Sequence, residues 1–487
     1  MPSPGRKTGI LLCMRKWSPL IAVCLGTFLL LVDVTIVVVA LPSIADKFGA
    51  DYSDLQWVLD GYALALAALL LGAGSLADRY GRRRTYLVGI GVFAVSSLLC
   101  AIAPNEQALI AARVLQGAGG AAMFACTAAL LNVTYRGHDR GIAFGIWGAV
   151  NGAAAAAGPL AGGLLTEHFG WRWVFLVNLP ICLIAVWFTL RGVAESKAPW
   201  GGRFDLPGTI TFTLAAGAVT YGLIRAGDAG WTDGIALTSF AVGLVALVAF
   251  IAVELRSDHP MLDLALFKRP AFAALIVAAF LTQAAAFGYL PFGTVWLQQV
   301  LGYGPVDAGL YGALPMAAAS LVVGAAAGKF LQKVSPRWTV GLGLLLIAAG
   351  DLLQARLHAD SSGSILIPGL IVVGLGVGCV LPSLSSAVLA EVPRERSGMA
   401  GGALNTFRQL GFALGVAVFG TIFADRIADA HGQPAGFADG LNATLYVAGG
   451  TALVAAVIVL ALVRRRATAH TGEGDLRPAQ SGDLTRA

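Results

Sequence analysis

Fourteen apolar stretches of 17–25 residues divide this chain and leave it few ways to fold. A hydrocarbon core about 30 Å thick takes about 20 helical residues to cross. Backbone groups in lipid must be satisfied within their own segment, so each stretch is expected to be a transmembrane helix. The stretches are Ser18–Leu41, Leu55–Leu76, Thr85–Ala103, Gln107–Leu131, Ile142–Leu165, Val174–Leu190, Leu206–Ile224, Ile235–Val253, Ala271–Leu290, Ala308–Gly328, Val340–Leu357, Ile365–Leu389, Ala400–Phe423 and Leu441–Val463. Composition agrees: 57% of residues are hydrophobic and 12% charged, about half the charge of a soluble domain. A length of 487 residues therefore does not mean roughly three soluble domains.

The net charge is +6 and the pI about 9.1, which in a soluble protein would suggest nucleic acid. Here the basic residues sit in short loops and read as topology instead. With the N-terminus inside, about 26 Lys and Arg fall on the cytoplasmic side and five outside: Lys47, Arg172, Arg225, Arg356 and Arg426. Arg113 and Arg408 lie within stretches. That asymmetry predicts an even number of spans with both termini cytoplasmic. The run Pro19–Leu41 exceeds the 7–15 residues of a signal-peptide core and no cleavage motif follows it, so it reads as a retained first span. The polar segment from Arg464 reads as a disordered cytoplasmic tail. Six scattered cysteines (Cys13, Cys24, Cys100, Cys126, Cys182, Cys379) have neither metal nor redox spacing.

An internal echo divides the spans. Gly74-Ser-Leu-Ala-Asp-Arg-Tyr-Gly-Arg-Arg-Arg84 follows span two, and Gly328-Lys-Phe-Leu-Gln-Lys-Val-Ser-Pro-Arg337 follows span ten. Both are short basic loops between the second and third helices of a six-helix set, although the second lacks the acidic residue. Such repeats mark transporters. The expected organisation is a cytoplasmic N-terminus (1–17), a six-helix bundle (18–195), a two-helix insert (196–256), a second six-helix bundle (257–463) and the tail (464–487).

The loop Gly74–Arg84 resembles the loop motif of the major facilitator superfamily. Arg113-Val-Leu-Gln-Gly-Ala-Gly-Gly120 is similar to that family's fourth-span motif, and Gly158-Pro159-Leu-Ala-Gly162-Gly163 to its antiporter motif. Val32-Asp33-Val-Thr-Ile-Val-Val-Val-Ala-Leu-Pro42 and Trp171-Arg-Trp-Val-Phe-Leu-Val-Asn178-Leu-Pro180 resemble marks of the fourteen-span drug:proton antiporters of the QacA/EmrB type. Two positions depart: Val38 stands where the first-span motif usually has Asn, and Ala154 where the span-five motif usually has Gly. The resemblance implies an all-α integral membrane protein with the major facilitator fold and 14 transmembrane helices (6 + 2 + 6). It also implies a cytoplasmic gating loop (Gly74, Asp78, Arg79, Gly81, Arg82, Arg83) that latches the halves in an outward-open state.

Asp33 is the sharpest single residue. A carboxylate at a helix centre costs about 2.5–3.5 kcal/mol on the insertion scale, so it must face a cavity or a partner. A proton- or cation-binding role competes with a folding role through hydrogen bonds. Counted from the expected outer ends of their spans, Asp33 lies roughly 13 Å deep, Arg113 roughly 9 Å and Asp60 roughly 8 Å. All three fall in the outer half of the first bundle, where a guanidinium moving relative to Asp33 would change its proton affinity. Asp78 is expected to contact the glycine-rich start of span thirteen near Gly398–Gly402, as a carboxylate does at a helix N-terminus. Gly158 and Pro159 bend span five, and Gly162 and Gly163 allow close helix approach. Phe144, Trp147, Asn151, Asp351, Asn405 and Arg408 are candidate cavity residues. Trp17, Trp57, Trp171, Trp173, Trp231, Trp296 and Tyr303 read mainly as an interfacial belt.

No phosphate-binding loop is present, so ATP is not the expected energy source, and no cofactor or metal is expected. The resulting expectation is proton-coupled efflux of small lipophilic or cationic compounds, as in multidrug or antibiotic export, by alternating access. An exporter of one endogenous metabolite or siderophore is the alternative. A channel would need a continuous polar path, a sensor a soluble signalling domain, and an enzyme a catalytic constellation. The partners expected are the substrate, protons and the lipid bilayer, without nucleic acid, for a monomer in a bacterial inner membrane. Span ten has no acidic residue inside Ala308–Gly328, which favours monovalent or neutral over divalent cargo.

Overall fold

The computed structural model describes residues 4–50, 52–197, 205–258, 260–330, 334–358, 360–392, 397–429 and 433–463. The tail expected from Arg464 lies outside the described residues. The long elements are α1 (Pro4–Phe48), α2 (Tyr52–Tyr80), α3 (Arg82–Ile102), α4 (Glu106–Thr134), α5 (Gly137–Phe169), α6 (Trp173–Leu176), α7 (Asn178–Gly192), α8 (Leu206–Ala229) and α9 (Gly234–Arg256). They continue with α10 (Pro270–Phe287), α11 (Leu290–Val295), α12 (Pro305–Gly312), α13 (Leu314–Phe330), α14 (Pro336–Gln354), α15 (Leu366–Ala390), α16 (Ser397–Asp429) and α17 (Pro434–Leu462).

Among the described residues, 12 helices are long and apolar enough to cross a bilayer, or 13 when α12 and α13, bent by 44° at their break, count as one span. The fold is therefore an all-helical membrane bundle with 12–13 candidate spans, against the fourteen expected. The 33-residue α5 is not in that number, and several of its side chains between 137 and 156 lie outside the described residues.

The expected boundaries shift where proline is misleading. The first span was expected to stop at Leu41, before Pro42. Instead α1 runs on to Phe48 with Pro42 inside it, because a proline within a helix costs a local hydrogen bond and a clash without having to end it. Asp33 thus lies fifteen residues before the helix end, about 22 Å along the axis, deeper than the count from Pro42 implied. Span six begins as the short α6 and continues as α7 after Val177. Span nine is broken at Gly288 and Tyr289 between α10 and α11, and closes with a π-helical turn, Trp296–Val300.

Loops are closed by local chemistry. Asn105 Oδ1 accepts from the Ala108 N–H at 2.9 Å and caps α4. Asp233 Oδ2 accepts from the Ala236 and Ile235 N–H groups, both at 3.0 Å, and from Arg225 Nε at 3.3 Å. These bonds to the anion, the Ala236 N–H foremost, hold the Asp233 carboxyl below its ordinary value. Between α2 and α3 the turn needs Gly81 at φ 120°, a conformation that other residues rarely adopt.

Helices pack at two kinds of surface. α9 turns mostly outward, only 22% of its apolar window being buried, and displays Leu244, Val245, Val248 and Leu255 as lipid-facing residues do. Inside, small residues bring backbones together. A Cβ added at Gly119 of α4 would stand 2.7 Å from the Phe93 nitrogen of α3, whereas one at Gly91 would meet nothing within 4 Å. Gly119→Val should therefore cost about 1–3 kcal/mol by overpacking and lower the thermal midpoint of the detergent-solubilised protein. Gly91→Val should leave that midpoint in place. Equal midpoints for both variants would show that the α3–α4 approach is not tight.

Candidate functional site

Asp33 is fully buried in the first six spans and is held from three directions. Its Oδ2 pairs with Arg113 Nη1. Its Oδ1 accepts from Gln116 Nε2 and from Asn178 Nδ2, both at 2.9 Å. Ser97 Oγ accepts from the same two amides, at 2.9 Å from Gln116 and 3.3 Å from Asn178. Arg113 Nε donates to the Val58 carbonyl at 3.0 Å, and its guanidinium lies over the Tyr62 ring at 4.4 Å. Five helices thus meet at one carboxylate: α1, α2, α3, α4 and α7.

Local sequence explains the convergence. Arg113 and Gln116 are three apart on α4 and so share a face. Asn178 stands at the start of α7, at the break in span six, where its side chain reaches back across α3. In a low-dielectric interior, a carboxylate and a guanidinium are tolerable only when paired and when their remaining valences are filled. Gln116, Asn178 and the Val58 carbonyl fill them.

The three charges expected at similar depth do not form one cluster. Asp33 and Arg113 are bonded, but Asp60 is not in the network. Asp60 is fully buried, and neither carboxylate oxygen has a hydrogen-bond partner among the described residues. It sits on the stripe of α2 that faces α16. On that stripe, a Cβ at Gly420 would touch Gln56 Nε2, the Ala67 carbonyl accepts from Thr406 Oγ1 at 3.3 Å, and Leu71 abuts Gly402. Asp60 therefore belongs to the seam between α2 and α16. Gln56, one turn from Asp60, also has an unpartnered Oε1. It helps line a small void with Leu41, Leu59, Phe292 and Val295.

The antiporter-motif glycines lie where α5 meets two helices. A Cβ at Gly158 would overlap Thr35 Oγ1, and one at Gly162 would stand 2.7 Å from the Ile36 carbonyl, both on α1. One at Gly163 would stand 2.7 Å from the Pro305 carbonyl of α12, and the Pro159 carbonyl lies against Gly309. At the same end, Gln298 Nε2 donates to the Val39 carbonyl at 2.9 Å and Glu167 Oε2 accepts from the Val306 N–H at 3.2 Å. The two sets are thus closed together at the end opposite the Arg82–Arg84 loop.

At the arginine-rich end the contacts are different. Asp78 Oδ1 accepts from Arg82 Nη2 at 2.7 Å and Nε at 2.9 Å, and among the described residues it makes no hydrogen bond to the start of α16. Gly401 there opens onto space. Arg83 Nη2 donates to the Leu190 carbonyl at 2.9 Å, Arg79 lies over Tyr80, and Gly74 has free space beside it. Glu195 accepts from the Arg83 and Arg84 N–H groups at 3.1 and 3.2 Å, placing an anion at the start of α3 as the helix dipole favours.

Of the candidate cavity residues, Trp147 Nε1 donates to Thr27 Oγ1 on α1 at 2.8 Å. Asn405 Nδ2 donates to the Gly401 carbonyl at 3.1 Å. Arg408 is half-buried, with no hydrogen bond or ion pair among the described residues. It shares one face of α16 with Gly401 and Asn405, seven and three residues earlier. Asp351 is fully enclosed and unpartnered among the described residues. The side chains of Phe144 and Asn151, and part of the second loop copy near Gly328, lie outside the described residues.

Sequence reasoning did not single out Gln116, Ser97, Asn178 or Glu195 as site residues. Gln116 had a signal in its three-residue spacing from Arg113. Asn178 had one as an amide within an apolar span.

Comparison with known proteins follows this geometry. The model of the Major Facilitator Superfamily matches residues 23–416. The chain is 35% identical over 483 residues to the puromycin resistance protein pur8 of Streptomyces alboniger, covering 96% of this chain and 95% of that one. It is 36% identical to the multidrug efflux pump LfrA of Mycolicibacterium smegmatis, covering 91% and 88%. It is also 36% identical to the tetracenomycin C resistance and export protein of Streptomyces glaucescens, covering 85% and 77%. Among solved structures it superposes on a peptide transporter, POT, in complex with sulfate (TM-score 0.66, 18% identity, 92% and 94% covered). It also superposes on the human organic anion transporter MFSD10 (TM-score 0.63, 15% identity, 91% and 99% covered). At these identities the likeness is one of fold.

Arg113→Gln should destabilise the protein by about 3–5 kcal/mol, because it strands a buried carboxylate. Adding Asp33→Asn should recover more than half of that loss. Denaturant unfolding of the parent, both single variants and the double variant in detergent would measure it. Strictly additive losses would mean that the two side chains do not stabilise each other.

Proposed function

Because the chain belongs to the major facilitator superfamily, we propose that it exports small lipophilic or cationic compounds in exchange for protons, by alternating access. The observation that carries this reading is the buried Asp33 carboxylate, held by a guanidinium and two amides inside one half of the bundle. An intramembrane carboxylate is retained where it binds a proton or a cation. Relatives named for puromycin resistance, tetracenomycin C export and multidrug efflux support drugs or antibiotics as the cargo. The tetracenomycin relative also keeps open a transporter tuned to one antibiotic made by its host.

The conformation described is closed at the end opposite the arginine-rich loop. All donors to Asp33 lie in the first half, so rigid rocking of the halves leaves its bonds intact. What can alter them is a shift of α1, whose far end is bound to the second half through Val39 and Gln298 and wedged against Gly158 and Gly162 of α5. Opening that end frees α1 to move and lets water reach Asp60 in the α2–α16 seam. Asp60 then exchanges its proton with the outside, and Asp33, released from Arg113, accepts one. Closing re-forms the Asp33–Arg113 pair, which stabilises the anion and expels the proton. Arg408, Asn405 and Trp147 line the path of the cargo.

The reading takes α5 as the fourteenth span, between the 18–195 and 257–463 bundles and beside the 196–256 insert. It places both termini in the cytoplasm of a bacterial cell, with the protein a monomer in the inner membrane. In the outward-open state Asp78 leaves Arg82 and binds the start of α16, so that Gly74–Arg83 act as the latch.

In proteoliposomes, ethidium uptake driven by a pH gradient should fall at least tenfold in Asp33→Asn while the protein remains folded. Unchanged driven uptake removes Asp33 from the coupling. With the native cysteines replaced, a cysteine pair at Asp78 and Gly401 should cross-link preferentially when the far end is held open. Equal cross-linking in both states discards the latch.

A further inference from the structure

The second half holds a buried acid that the mechanism above does not use. Asp351 is the sixteenth residue of α14, and Ser97 is the sixteenth residue of α3. These helices are the third spans of the two six-span sets. Asp351 therefore occupies, in the second half, the position from which Ser97 touches the two amides that hold Asp33. Around Asp351 the polar groups are few. Gln354 Nε2 donates to the Tyr289 hydroxyl at 3.1 Å and to the Gly350 carbonyl at 3.1 Å. Gln354 stands three residues after Asp351 on α14 and so shares its face.

No cation faces this carboxyl among the described residues. α14 packs on α15, α17 and α10. The first and last of these carry no charged residue, and α17 carries only Asp439, in its second turn. On α14 itself the one other charge is Arg337, at the opposite end, while Arg356 and His358, beyond the helix, are exposed. In the closed conformation Asp33 has Arg113 as its counterion; among the described residues Asp351 has none. A group of this kind is accommodated as the neutral acid and can ionise only when water reaches it.

The fold supplies a way for water to arrive. Tyr289 stands at the break between α10 and α11, and the π turn that ends this broken span carries Gln298, which holds the far end shut through Val39. Elsewhere the acid is sealed: a Cβ at Gly350 would lie 2.6 Å from the Gly369 carbonyl of α15. Releasing Gln298 lets the broken span move at Tyr289, whose hydroxyl accepts from Gln354, one turn from Asp351.

We propose that Asp351, with Tyr289 and Gln354, is a second proton-binding site of the transport cycle, loaded and emptied through the break in span nine. It accepts a proton from water when the far end is open and carries it inward in the closed state. The cycle then moves about two protons for each cargo molecule. This inference rests on the proton-antiport reading above.

The test is the steady-state ethidium gradient held by proteoliposomes at a series of pH gradients, with the membrane voltage clamped to zero. Each proton exchanged adds about one decade of accumulation per pH unit. The parent should give a slope near two. Asp351→Asn should give a slope near one. Asp351→Ser, which copies the residue of the first half, should give the same, and Asp351→Glu should restore two. A slope of one in the parent, or an unchanged slope in Asp351→Asn and Asp351→Ser, overturns the second site while leaving antiport intact. A slope of zero in the folded Asn variant overturns it also, because Asp351 would then be the sole coupling acid. No gradient dependence in the parent rejects the antiport reading itself.

Discussion

A buried carboxylate paired with a buried guanidinium sets the terms for the first half of this bundle. Asp33 and Arg113 sit on different helices, both fully enclosed, in a medium where either charge alone would cost several kcal/mol. Everything near them is arranged to keep the pair satisfied. Gln116 is one turn along from Arg113, Asn178 reaches from the break in span six, Ser97 receives both amides, and the Tyr62 ring covers the guanidinium. The same enclosure that makes the pair expensive to break makes it useful. A group that can ionise only while its partner is in place couples a proton to the position of a helix.

The seams between the halves follow another physical rule. They are built on small residues: Gly163 and Gly309 bring the α5 and α12 backbones together, and Gly402 and Gly420 of α16 receive the side chains of Leu71 and Gln56 of α2. Such surfaces slide and rock with little side-chain rearrangement. Against this smooth interface, the few polar contacts at the closed end, Gln298 to Val39 and Glu167 to Val306, are easily exchanged. Asp60 is the exception, an acid set into the seam itself.

The acids differ in what surrounds them, and that is what separates their roles. Asp33 is countered, in the closed conformation, from within its own half. Asp60 lies in the α2–α16 seam and has no hydrogen-bond partner among the described residues. Asp351 is buried in the second half, one turn from the Gln354–Tyr289 hydrogen bond. Depth counted from helix ends could not distinguish them, because α1 continues past Pro42 to Phe48 and the count began from the wrong place.

Much of the bundle was legible in the amino-acid sequence, because lipid imposes one solution on a long uncharged segment and because basic loops follow a simple asymmetry. The sequence alone determined that the chain is a helical membrane bundle, that Asp33 and Arg113 are costly and so need partners, and that Gly158–Gly163 permits close packing. Tertiary structure decided which partners were taken. Asp33 took Arg113, Gln116 and Asn178, residues 80 to 145 positions away, and in this conformation Asp78 took Arg82. Asp60 and Asp351 were left without a hydrogen-bond partner among the described residues. Those outcomes depend on how helices rotate and where they break, and periodicity along one helix carries no information about the face its neighbour presents.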